Sequence, residues 1–523
     1  QGTLFGRNST GGAVLLVPKK PTDNLEGYVE GSIGSRDLRR VQAVVNVPIM
    51  DTLRVRLGVD RMKRDGYLNN AGRIGFGPHG DKGGSIDYWA GRLSIVADLT
   101  PDLENYTVAT FSRSNSTGVI PKIYKCYNAA LCDEKSRQDA LGFWSVSNPL
   151  PDSASETRQW QVINTTTWKA SDTLTVKNIF SYGEYRGKLN LDLFGFYGTI
   201  PGVPRGTETN ASQVRPFVFT HAAPNRETNA QSSFVEELQF QGNAADGRFT
   251  WQGGLYLEIN NPLGGSGVQT ATFTPCLNSS TLNCTPFAGL GGISLGRLNY
   301  QVTETSFNGK AAYFQASYDI TDQLKVTGGI RYTVDKMAAD FSSVDIRLGN
   351  TIVASALAPK IYNGTVLTSN TVADFAACGN TVAFGAQGSA TNPYMPVSSA
   401  ALICKQGPNQ AGGANVPEVT SKAATWLIGL DYKPVEDVLL YAKWSRGYRQ
   451  GGVAPFAADQ LQTYRPEKVD TYELGAKASW RGAVPGYFNI AGFYNNFRDQ
   501  QLQIGLSCLP VSLCAQTTTI LNA

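Results

Sequence analysis

The chain has 523 residues, of which 17% are charged, against about 25% in soluble domains, and its formal net charge is +4. That balance, with no dense basic run, excludes a nucleic-acid footprint. No stretch approaches the ~18 consecutive apolar residues of a transmembrane helix, which leaves membrane strands open, because their apolar positions merely alternate.

Residues 1–24 are Gly-rich and then polar, with a short apolar run from Ala13 to Val17 that stops at Pro18. From Leu25 a hairpin unit takes over and recurs. Its clearest copy is 312–335. Leu324, Val326, Gly328, Ile330, Tyr332 and Val334 fall on one face of a strand, and Lys325, Thr327, Gly329, Arg331, Thr333 and Asp335 on the other. Alternation with period two marks a strand with unlike surroundings on its two faces. Short turns are predicted near 49–51, 100–102, 170–172, 244–246, 321–323, 434–437 and 482–485. Between them lie long loops, roughly at 65–85, 117–156, 187–230, 261–304, 339–420, 450–468 and 499–516. A compact soluble domain rarely carries such loops. Their alternation with short turns puts all turns at one end and all loops at the other, the asymmetry of outer-membrane barrels. Counting the strand before the first turn and one opening at Thr517, about sixteen strands are visible.

Lengths agree with a membrane. Trp160 and Trp168 share a face eight residues apart, hence ~26 Å along a strand at ~3.3 Å per residue. A tilt of ~40° reduces this to ~20 Å, close to the ~25 Å apolar band between aromatic girdles. Trp168, Trp251, Tyr432 and Trp480 all lie beside short turns, where an inner girdle belongs. The competing assignment of these residues to the core of a soluble sandwich leaves seven long loops at one end unexplained.

Eight cysteines fall into four close pairs: Cys126 with Cys132, Cys276 with Cys284, Cys378 with Cys404, and Cys508 with Cys514. All lie in polar loops, and an even count in local pairs points to disulfides and an oxidising compartment. Metal binding ranks lower, since the chain has two histidines and no C-x-x-C. His79 and His221 fall in predicted outer loops, where a solvated imidazole is the expected role ahead of haem ligation. Gly75-Phe-Gly-Pro-His-Gly80 matches G-x-G-x-x-G but precedes Asp-Lys-Gly-Gly and no helix, so these read as loop glycines. No catalytic constellation emerges, and no enzyme, metal site or cofactor is expected.

Four stretches carry a resemblance. Gly2-Thr-Leu-Phe-Gly6-Arg7-Asn8-Ser-Thr-Gly11-Gly12-Ala-Val resembles the end of the plug domain of TonB-dependent outer-membrane receptors. Tyr464-Arg-Pro-Glu-Lys-Val-Asp-Thr-Tyr-Glu-Leu-Gly-Ala-Lys477 resembles a barrel signature of that family. So do Trp444-Ser-Arg-Gly-Tyr-Arg-Gln-Gly-Gly452 and Gly328-Gly-Ile-Arg-Tyr-Thr-Val-Asp-Lys336. The resemblance covers nearly the whole chain.

It implies an all-β fold, a transmembrane antiparallel β-barrel of 22 strands plugged by an N-terminal domain, in the outer membrane of a Gram-negative bacterium. On that pattern 1–24 is the end of the plug and its linker, and 25–523 is the barrel. Both termini are expected to be cuts, with most of the plug, the TonB-binding segment and the last strands missing. The implied activity is import of a scarce large ligand, most often a ferric siderophore or other iron chelate, energised through the inner-membrane TonB complex. The expected partners are outer-membrane lipid, the TonB complex and the iron chelate. In the family a plug arginine meets carboxylates on the inner wall. The corresponding expectation is that Arg7 pairs with Glu237 and Glu473, both on inward faces, with the competing reading that these glutamates are solvated lumen residues. The ligand site is expected among outer loops and plug tips, where Tyr124, Tyr127, Tyr197, Tyr362 and Tyr394 lie. The rival functions are a passive porin, to which sixteen strands would suit, and a surface adhesion or enzyme barrel.

Overall fold

The computed structural model describes Gly6, Thr10 and residues 15–523. Within that range it leaves out 74–75, 119, 127–128, 149, 151–152, 194, 196, 200–213, 217, 224–225, 273–275, 279–282, 285–295, 349–365, 368–400, 407–416, 455–456, 458–460, 483 and 507–516. Fifteen strands follow one another as an antiparallel meander. They are β1 (Glu26–Gly34), β2 (Leu38–Met50), β3 (Leu53–Arg64), β4 (Ile86–Thr100), β5 (Leu103–Ser116), β6 (Ala154–Ser171), β7 (Leu174–Asp192), β8 (Asn229–Ala244), β9 (Phe249–Pro262), β10 (Gly296–Asp319), β11 (Leu324–Leu348), β12 (Glu418–Val435), β13 (Val438–Arg449), β14 (Glu467–Trp480) and β15 (Gly486–Arg498). Each pairs with the next, from β1–β2 through to β14–β15. A further strand, Thr517–Asn522, pairs with Gln501–Leu506 after a bend at Asp499 (φ 53°), bringing the count to the expected sixteen.

All seven short turns are where the alternation places them. One outer connection departs from the long-loop pattern. Residues 35–37 close β1 onto β2 as a tight hairpin, with Arg36 (φ 61°) and Asp37 (φ 52°) both left-handed. Two consecutive positive φ values give the turn the twist that antiparallel strands need. The outer segments are also more ordered than loops: β10 and β11 run 24 and 25 residues, well past any bilayer, and stay paired to Gly296↔Leu348.

The sheet is apolar on the outside. Leu57, Leu255, Ile330, Ile428, Leu430 and Leu474 are all exposed on it. In a soluble protein this would be a costly surface, whereas in a bilayer it is the lipid contact. Trp168 (50% exposed), Tyr432 and Trp480 form a row beside the turns, and Trp160 stands eight residues above Trp168 on the same face. The opposite face carries the polar residues and encloses the buried ones.

Candidate functional site: the inner wall and its outer lobe

Period-two alternation sends odd-numbered residues of β11 inward, which brings Arg331, Thr333 and Asp335 onto the inner wall with Glu237 of β8, Tyr256 of β9 and Tyr313 of β10. Arg331 is 4% exposed. Its guanidinium lies 5.1 Å from the Tyr256 ring centre and 5.5 Å from that of Tyr313, and its Nε donates to Thr333 Oγ1 at 3.1 Å. A cation held over two aromatic faces is stabilised by their quadrupoles where water is excluded. Tyr313 donates to Glu237 Oε1 at 2.6 Å, and Gln239 donates to the same oxygen at 3.0 Å. Tyr448 donates to the buried Asp335 at 3.0 Å, and Tyr256 to Glu258 at 2.9 Å.

Gly6 meets this cluster. It has φ 77°, and a Cβ built there would stand 3.0 Å from Nη2 of Arg331. Both the left-handed backbone and the close approach require glycine. The chain preceding the barrel thus reaches the wall at Arg331. It also reaches it lower down. Asn46 is fully buried, accepts from the Thr22 amide at 2.9 Å and donates to the Thr22 and Asn24 carbonyls at 2.8 and 2.7 Å. Lys20 pairs with Glu104 at 2.6 Å and Arg54 with Asp23 at 2.9 Å, and at the start of β1 itself Arg56 pairs with Glu26 at 3.1 Å.

The pairing expected of Arg7 involves a residue outside the described set. Arg7, Asn8, Gly11 and Gly12 lie outside the described residues. Glu237 and Glu473 both face inward, as alternation predicts, yet they stand six strands apart along the sheet and each has its own tyrosine. Tyr441 donates to Glu473 at 2.7 Å, as Tyr313 does to Glu237. Arg331, a wall residue inside the Gly328–Lys336 stretch, supplies the cation beside Glu237. Its inward parity was visible in the sequence, but its pairing across three strands was not. Elsewhere on the wall, Arg40 holds Asp60 through two hydrogen bonds (3.0 and 2.6 Å), and Tyr88 adds a third at 3.2 Å. A cavity of about 310 Å³ opens there, lined by Tyr28, Gln42, Asp60, Arg92, Ser112 and Gln159.

Above the bilayer the segment after β5 folds into α1 (Ala129–Ala140). Cys132 in its first turn is disulfide-bonded to Cys126 just before it, with Cα atoms 5.1 Å apart. Glu134 takes both ends of Arg137 at 2.6 and 2.9 Å, and Lys135 pairs with Asp139, whose carboxyl that ammonium holds below its usual range. Cys276 and Cys284 face each other as strand partners, Cys404 lies in the strand Ala401–Gln406, and Cys378, Cys508 and Cys514 lie outside the described residues. The Gly75–Gly80 run enters a hairpin strand, Phe76–Gly83, paired with Leu68–Arg73, and opens no helix. His79 sits on that strand, its side chain outside the described set. His221 corrects the expectation of a solvated imidazole. It is 2% exposed on the strand Val218–Ala222, 5.1 Å from the Phe219 ring, and burial pushes its pKa down to about 4. The strand pairing that buries it, to β7 and to Ser266–Thr272, joins segments far apart in sequence. Of the tyrosines singled out, Tyr124 stands 91% exposed, while the side chains of Tyr127, Tyr197, Tyr362 and Tyr394 lie outside the described set.

Among the described residues no cluster of three His, Cys, Asp or Glu side chains is arranged to hold a metal. The wall is a set of locked polar contacts around a lumen, suited to gripping a polypeptide or a polar ligand.

Comparison with known proteins agrees with this architecture. The chain is 40% identical over 53 residues, 10% of its length and 8% of the relative's, to the pesticin receptors of Yersinia enterocolitica and of Yersinia pestis. Its fold is similar to that of the ferric yersiniabactin uptake receptor of Yersinia pestis (TM-score 0.61, 15% identity, 96% of this chain and 59% of that one). It is also similar to that of the ferripyoverdine receptor of Pseudomonas aeruginosa (TM-score 0.57, 13% identity, 99% and 55%). The chain therefore spans a little over half the length of these solved structures. Residues 87–511 match the family described as TonB dependent receptor-like, beta-barrel. The chain belongs to that family of outer-membrane receptors.

Proposed function

We propose that the protein imports an iron chelate, a ferric siderophore in the first instance, across the outer membrane, energised through the inner-membrane TonB complex. The observation that carries this reading is the grip of the inner wall on the chain before β1: Gly6 against Arg331, Asn46 on residues 22–24, and Lys20 on Glu104. A passive pore has no use for a polypeptide held in its lumen, whereas an energised receptor needs one that can be pulled. Two similar folds belong to receptors for ferric yersiniabactin and ferripyoverdine, which supports a chelate of that class. On this reading 1–24 is the end of the plug with its linker, 25–523 is barrel, Arg7 joins the carboxylate-lined wall, and the remaining cysteines pair as Cys276–Cys284, Cys378–Cys404 and Cys508–Cys514.

Radioiron uptake by cells producing the receptor tests it. Accumulation of at least one chelate should exceed that of receptor-less cells and fall to background when TonB is deleted. Uptake that is indifferent to TonB would instead favour the porin reading.

A further inference from the structure

At several places on the outer rim of the sheet, outward-facing cations stand beside carboxylates. Arg158 and Arg186 share Glu227 at 3.3 and 3.9 Å, and Arg446 takes both oxygens of Asp470 at 2.7 and 2.6 Å. Strands β10, β11 and β12 differ. Ile330 and Tyr332, each more than half exposed, mark the outward face of β11, and Val334 and Lys336 continue it upward. Val334 pairs with Lys310 of β10 on one side and with Lys422 of β12 on the other, so both lysines share its face. Lys336 pairs with Glu418 at 2.9 Å, and both side chains are about half exposed. Lys310 and Lys422 are exposed, and among the described residues neither ammonium has a hydrogen-bond or ion-pair partner. Their strand positions lie ~9.6 Å apart, at ~4.8 Å per strand. Like charges facing across a sheet repel unless an anion stands between them.

The height of these lysines says where such an anion comes from. Trp160, in the outer girdle, stands twelve residues from Asp172. Lys310 and Lys336 stand twelve and fourteen from Asp322, and Lys422 stands fourteen from Glu436. At ~3.3 Å per residue and a tilt of ~40°, they lie level with the girdle or ~5 Å above it, among the headgroups. Directly below, the same face is apolar, with Leu257, Tyr332, Ile330 and Ile428 exposed to lipid.

We propose that Lys310, Lys336 and Lys422 form a binding site for a phosphate of an outer-leaflet lipid, whose acyl chains lie on Tyr332, Ile330 and Ile428. An ammonium offers three N–H donors and no acceptor, and a phosphate offers several acceptor oxygens that two or three lysines can share. Long lysine arms reach the headgroup level while their methylenes stay on apolar surface. The apolar face beneath favours a lipid over free phosphate, because it covers the chains that the phosphate carries.

Binding of diphosphoryl lipid A to the full-length receptor in a non-ionic detergent, read by native mass spectrometry, tests this. Lys310→Gln with Lys422→Gln should weaken binding by on the order of tenfold or more. Lys63→Gln with Lys188→Gln removes the same charge from the rim elsewhere and should leave the affinity within about twofold of wild type. Lys310→Arg with Lys422→Arg keeps both charges and should bind as wild type does. Heat-modifiable gel migration shows whether each barrel is folded. If the double glutamine variant does not fold, Lys422→Gln alone should still weaken binding by about threefold or more. Equal affinities for the two double glutamine variants would overturn the proposal. So would equally tight binding of lipid A stripped of its phosphates, or displacement of lipid A by a millimolar excess of inorganic phosphate.

Discussion

Glu237 takes a hydrogen bond from the Tyr313 hydroxyl and another from the Gln239 amide, with Arg331 beside them. Removing the hydroxyl with Tyr313→Phe leaves this part-buried carboxylate one hydrogen bond short and should cost about 1–3 kcal/mol in urea unfolding of the reconstituted barrel. Tyr441→Phe strands Glu473 in the same manner. If Tyr313→Phe unfolds at the wild-type urea concentration, the hydroxyl carries nothing. His221 yields a pH prediction at the same scale. Its folded pKa is about 4 against about 6.5 when unfolded, so the unfolded state takes up a proton first as pH falls. Stability from this site is complete above about pH 6.5 and is lost as pH drops toward 4, at most about 3 kcal/mol. Protection factors of residues 218–222, which are corrected for the intrinsic slowing of exchange in acid, should therefore fall between pH 7 and pH 5. His221→Phe should remove that dependence, and equal protection factors at both pH values would refute the assignment. Nothing local in Val-Phe-Thr-His-Ala announces the burial of His221. Arg331 was half legible: alternation put it inside, but the tyrosines that hold it come from β9 and β10.

At the scale of elements, strands and inner turns were legible because each depends on its own neighbours: period-two apolarity and a Pro, Asp or Gly at the bend. The helix α1 was not. Its sequence, Ala-Ala-Leu-Cys-Asp-Glu-Lys-Ser-Arg-Gln-Asp-Ala, is polar on nearly every side and has no apolar stripe to read. What holds it is nonlocal: Arg137 to Ser147, Gln138 to the Gly195 carbonyl at 2.7 Å, and the Cys126–Cys132 bond at its start. Closing so short a loop removes about 2 kcal/mol of unfolded-state entropy on the chain-entropy account. Reduction should thus raise amide exchange across 129–140 by on the order of tenfold or more, leaving β5 and β6 unchanged. Unaltered exchange after verified reduction would show that the side-chain bonds suffice. The tight turn at residues 35–37 escaped notice for a related reason. Arg36 and Asp37 lack the glycine that normally marks consecutive left-handed residues, so the turn is imposed by the pairing of β1 with β2.

For the molecule as a whole, the two faces of one sheet divide the work. The outer face fixes where the protein resides, and its girdles are spaced by strand length alone, which is why the membrane could be read from Trp160 and Trp168. The inner face fixes what the lumen holds, and its contacts join distant residues that no periodicity relates. Lys20 and Glu104 are 84 positions apart, and Asp335 and Tyr448 are 113 apart. Asn46 is the pivot of that second set. It is fully buried and spends three hydrogen bonds on the backbone of residues 22–24. Asn46→Leu keeps the volume but leaves the Thr22 amide and two carbonyls unpaired, a cost of about 2–4 kcal/mol concentrated on the entering chain. The wall itself should survive, since β1–β2–β3 pairing is backbone-made. The entering chain should loosen, letting trypsin cut the Lys19–Lys20 bond, and ion conductance in a planar bilayer should rise above the wild-type level. Trypsin resistance and conductance both equal to wild type would mean that the segment is held from elsewhere, with Gly6 at Arg331 the next contact to break.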